Sequence, residues 1–107
     1  MMPKVSDEAV AAYDAVAAGL ESAGVVRGKM FGMPCLKLGT KVVAGMYGDA
    51  MTVKLPPEPR ERALALPGVE HFDPGMGRPM KEWVQIPLDQ AAVWPEYAAE
   101  AMEYVGR

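Results

Sequence analysis

Between Val25 and Leu55 a glycine or proline recurs every few residues, at Gly28, Gly32, Pro34, Gly39, Gly45 and Gly48. No long helix survives that spacing, and the short apolar runs left between the breaks suit strands joined by turns. The runs predict strands at Val26–Phe31, Cys35–Leu38, Lys41–Tyr47 and Met51–Leu55, with tight turns at Leu38-Gly39-Thr40-Lys41 and Tyr47-Gly48-Asp49-Ala50. Met51, Val53 and Leu55 alternate with Thr52 and Lys54, one buried face against one wetter face. Val42 to Tyr47 does not alternate. Both its faces are apolar, which predicts a central strand covered on two sides, the second cover being a partner subunit.

Helical signals flank this region. Ser6 followed by Asp7 and Glu8 is a helix start, a capping hydroxyl with acids at the positive dipole end. Val10, Tyr13, Ala17 and Leu20 then recur at helical spacing until Gly24. Pro56-Pro57-Glu58-Pro59 opens a short helix, about Pro59 to Leu66, ended by Pro67-Gly68. Val69 to Phe72 reads as a short extended piece, 73–77 as a loop and Lys81–Ile86 as the last strand. Trp94-Pro95-Glu96 starts a final helix with Trp94, Tyr97, Ala98, Ala101 and Val105 on its apolar face. The order predicts an α+β fold of two layers, an antiparallel sheet of about five strands with the helices on one face. At 107 residues the chain is one domain, residues 1–107.

The net charge of −3 argues against a strong nonspecific nucleic-acid footprint of the whole molecule, while leaving room for a local basic patch. Cys35 is the one cysteine, so no intramolecular disulfide forms. The acidic start after Met1-Met2-Pro3-Lys4-Val5 lacks the apolar core of a signal peptide, and no apolar run reaches the ~20 residues of a membrane span. The expectation is a cytoplasmic protein without a membrane partner.

Catalytic chemistry has little to build on. A Cys35–His71 couple needs only spatial neighbours, but Cys35 sits in an apolar strand with no cation beside it to favour thiolate. One Cys and one His are too few for a zinc site. Acid pairs such as Glu58/Glu61 and Glu96/Glu100/Glu103 read as solvated helix faces. No cofactor, no metal and no catalytic residue is expected. The more suggestive segment is Gly75-Met76-Gly77-Arg78-Pro79-Met80-Lys81, where a pliant backbone with Arg78 and Lys81 suits an anionic group. Lys29 near Phe31, and Lys81 near Trp83, interleave cations with aromatics as nucleic-acid surfaces do. The candidate contact residues are therefore Lys29, Phe31, Arg78, Lys81 and Trp83. Phe31 and Trp83 also fit a core.

Three segments carry a family resemblance: Lys29-Met30-Phe31-Gly32, the strand Val42–Met46 with the Asp49-to-Val53 strand after it, and Gly77-Arg78-Pro79-Met80-Lys81-Glu82-Trp83-Val84. Together with Leu66-Pro67-Gly68-Val69 they resemble the N-terminal domain of the TfoX/Sxy family over roughly residues 8 to 105. Met33 and Glu82 stand where that family commonly has glycine. The resemblance implies a secretion-chaperone or YjbR-like order of helix, three strands, helix, two strands and helix. It further implies a non-enzymatic regulator of competence-gene transcription, with no catalytic residues to carry over. The functional expectation is a binding module acting through protein contacts, as a homodimer. The alternative is a nucleic-acid-binding domain using the patch around Arg78 and Lys81.

Overall fold

In the computed structural model, which describes residues 6–30, 33–73 and 81–106, the glycine-punctuated stretch folds as a run of hairpins. Helix α1 (Asp7–Glu21) is followed by strands β1 (Val25–Met30), β2 (Met33–Leu38), β3 (Lys41–Tyr47) and β4 (Ala50–Lys54). Helix α2 (Pro57–Leu64), the two-residue strand β5 (Glu70–His71), strand β6 (Trp83–Ile86), a 3-10 turn (Leu88–Val93) and helix α3 (Trp94–Val105) complete the order. Both expected hairpin turns form. Gly39 and Gly48 take φ of 65° and 60°, the left-handed region where a Cβ is costly. Ser6 caps α1, its hydroxyl accepting from the Ala9 N–H at 3.1 Å. The Ser6 N–H donates to Asp49 Oδ1 at 2.7 Å, tying the helix start to the β3–β4 turn.

The six strands form one antiparallel sheet in the order β1-β2-β3-β4-β6-β5. The sixth strand is the two-residue β5, and four strands, not the three implied by the family resemblance, precede α2. Residues opposite one another in an antiparallel register share a face. Val25, Leu36, Met51, Val53, Val84 and Ile86 thus point to one side, where α1 and α3 lay Ala9, Tyr13, Val16, Ala17, Tyr97, Ala98 and Ala101 against them. Trp94 is fully buried there, its Nε1–H donating to the Ile86 carbonyl at 3.1 Å. Arg60 fixes α2 to the end of β4 by donating to the Leu55 carbonyl at 3.2 and 3.3 Å.

The unbroken apolar run in β3 has two causes. A register shift opposite Leu36/Lys37 inserts Val43 as an extra residue, so Val43 and Ala44 both enter the helix-side core. Val42 and Tyr47 face the other way and remain half-buried. No helix among the described residues is long and apolar enough to cross a membrane.

Candidate functional site

The face opposite the helices is built from a row of small and polar residues in register across all six strands: Gly28, Cys35, Gly45, Thr52, Gln85 and Glu70. A Cβ at Gly45 would stand 3.2 Å from the Pro34 carbonyl oxygen and 3.4 Å from Thr52 Oγ1, so the floor of this row is tight. Cys35 and Thr52 are buried on it. Tyr47 and Phe72 meet above it edge to face, their ring centroids 5.3 Å apart. This is a small second core. It leaves Met33, Val42, Tyr47 and Trp83 half-exposed around its margin.

Burial pushes the Cys35 thiol above its ordinary value, and nearby Lys37 only partly offsets that. A thiol so placed is a poor nucleophile at neutral pH. His71 lies in β5, four strand spacings from β2, or roughly 19 Å at about 4.8 Å per strand. The sequence-level Cys35–His71 couple is not brought together. No group of three metal-ligating side chains occurs among the described residues.

Of the five candidate contact residues, Phe31 and Arg78 lie outside the described residues. Lys29 is exposed on β1, the outer strand, and Trp83 is half-buried on β6 with Lys81 exposed just before it. Three strands separate β1 from β6, so Lys29 and Trp83 do not share one patch. Lys81 and Trp83 do stand close along the chain, and the register sets Lys54 directly opposite Trp83.

Lys54 and Lys37, passed over in the sequence reading, belong to this uncovered side. Alternation with Met51, Val53 and Leu55 marks the face of Lys54, but strand pairing is needed to set it against Trp83 and to place Lys37. Lys54 pairs with Glu82 at 3.7 Å, and Glu82 in turn accepts from the Tyr104 hydroxyl of α3. That hydrogen bond, aided by the Lys54 and Arg60 charges, holds the Glu82 carboxyl below its ordinary range. An open cleft of about 460 Å³ beside them is lined by Lys41, Val42, Lys54, Tyr104 and Val105. On the helical side two arginines are held by acids: Arg62 reaches Glu58, Glu96 and Glu100 and lies 5.7 Å from the Tyr97 ring centre, while Arg27 binds Asp14 and Glu21.

Comparison with protein-family models, with curated proteins and with solved structures finds no match to this chain.

Proposed function

We propose that this chain is a non-enzymatic binding module that works through protein contacts on the side of the sheet away from its helices. The observation that carries the reading is the half-exposed rim of Met33, Val42, Tyr47 and Trp83 on a face that the helices do not cover. Apolar and aromatic side chains around a rigid, tightly floored sheet are what a protein interface uses as anchors. The separation and burial of Cys35 from His71 support a role without nucleophilic catalysis. A regulatory role like that of the TfoX/Sxy N-terminal domain fits the same reading, and a second copy of the chain is its simplest partner.

Light scattering at low and high protein concentration tests the homodimer. The expected result is a dimer that Val42→Lys or Trp83→Lys converts to monomer. A stable monomer at every concentration removes the second copy as the partner.

A second reading has one observation in its favour, the cation–aromatic neighbours Lys54 and Trp83 with Lys81 beside them. As a nucleic-acid surface it predicts binding to single-stranded oligonucleotides that weakens steeply with salt. Binding unchanged in Lys54→Gln/Lys81→Gln would sink it.

A further inference from the structure

The two edges of the sheet are unlike. One is β5, only two residues long, carrying Glu70 and His71. The other is β1, six residues from Val25 to Met30, paired to β2 on its inner side and to no strand among the described residues on its outer side. A long unpaired edge presents a row of backbone N–H and C=O groups ready to accept another strand. Native sheets blunt such edges with charged side chains, especially lysine, or with proline, bulges or a covering segment, and the charges of Arg27 and Lys29 deter a basic strand but not an acidic one. β1 contains no proline and pairs with β2 without a register break.

The side chains along this edge specify what fits it. Val26 is 56% exposed, the most open large apolar side chain among the described residues. Its register partner is Lys37 on the same face. The Lys37 stem runs outward across Gly28, its Cε 3.6 Å from where a Gly28 Cβ would stand. Lys37 therefore directs its ammonium toward the edge. Lys29 is exposed on the opposite face of the same strand. Neither lysine forms an ion pair with a described residue, whereas Arg27, on the Lys29 face of β1, is already held by Asp14 at 2.8 Å and Glu21 at 3.3 Å. Among the described residues the edge thus offers an unpaired ladder, one apolar anchor and two cations without an acid partner, one on each face.

We propose that β1 is a docking edge for an extended, acidic segment of a partner protein, which joins the sheet as a seventh strand. Backbone pairing to Val25–Met30 supplies the affinity, as in strand addition generally. An apolar side chain opposite Val26 and carboxylates beside Lys29 and Lys37 supply the selection. A second copy of this chain fits the edge poorly, because β1 carries Arg27 and Lys29 and no acid, so it brings further positive charge and no carboxylate to Lys29 and Lys37. A nucleic acid uses the cations but leaves the peptide ladder unmatched. The proposal rests on the protein-contact reading above and adds to that face a strand-pairing partner at the β1 edge.

The test is a titration of the intact, 15N-labelled chain followed by amide chemical shifts. The probe is a capped, Glu-rich peptide of about ten residues with Val at every fourth position, so that carboxylates stand on both faces of the added strand and an apolar side chain on one. Shifts along Val25–Met30 are expected. They should vanish when alternate peptide nitrogens are methylated, and when Lys replaces Glu in the probe. Lys29→Glu/Lys37→Glu should weaken binding at least ~tenfold, and raising salt from about 50 to about 500 mM should weaken it further. Shifts confined to Tyr47, Thr52 and Trp83 would overturn the edge proposal while leaving the protein-contact reading in place. Binding of a single-stranded oligonucleotide but not of the peptide would overturn both. Concentration-dependent broadening of β1 without any peptide would assign the edge to a second copy and overturn the choice of partner.

Discussion

Removing one oxygen atom should stabilise this protein. Tyr13 of α1 is 6% exposed, and its hydroxyl has no hydrogen-bond partner among the described residues. A hydroxyl taken out of water without a partner costs about 1–3 kcal/mol. Deleting it as Tyr13→Phe recovers that penalty but forfeits the contacts the oxygen makes, a loss of at most ~1 kcal/mol. The net expectation is a gain of about 1 kcal/mol, or a melting temperature higher by ~4 °C for a domain this size. Urea and thermal unfolding measure it directly. The same burial, with Cys35 nearby, pushes the phenol from 10.0 to about 12. Because the folded value lies above the unfolded one, the stability linked to this group is complete below pH 10 and is lost as pH rises to about 12. Tyr13→Phe should flatten that alkaline decline. Destabilisation by more than about 0.5 kcal/mol would refute the reasoning, since it would mean the hydroxyl is satisfied.

Trp94→Phe removes a fully buried indole together with its hydrogen bond to the Ile86 carbonyl, and should cost about 2–4 kcal/mol in urea unfolding. Arg62→Ala, despite the three carboxylates around it, should change stability by less than about 1 kcal/mol, because that side chain is 46% exposed. Cys35 should react with an alkylating reagent slowly in the native protein and quickly in urea, the burial and raised thiol both being lost on unfolding. Fast native alkylation would show that the face over Cys35 opens readily.

Much of the fold was legible because it depends on local chemistry. Gly39 and Gly48 mark their turns through φ values open to glycine, and Ser6 marks α1 through a bond to the N–H three residues on. The start of α3 at Trp94-Pro95 follows from proline's place in a first helical turn. The candidate site was legible only in part. Trp83 and Lys81 were singled out as a pair and lie two residues apart, while Lys29 stands on β1 with three strands between it and β6. Alternation put Lys54 on the wetter face of its strand, but neither its place opposite Trp83 nor that of Lys37 beside the edge strand is marked by nearby residues.

The chain's own sequence determined the two hairpin turns and the starts of α1 and α3, since turns, caps and breaks act over three or four residues, whereas α2 lies at Pro57–Leu64 instead of Pro59–Leu66 and β6 starts at Trp83 instead of Lys81. The tertiary structure alone decided that β6 lies between β4 and β5, that a bulge sends Val43 inward, and that β1 is left as the long edge. Those outcomes depend on which distant strands pair so that one apolar face meets α1 and α3. They settle together, through simultaneous burial, and no short stretch of sequence contains them.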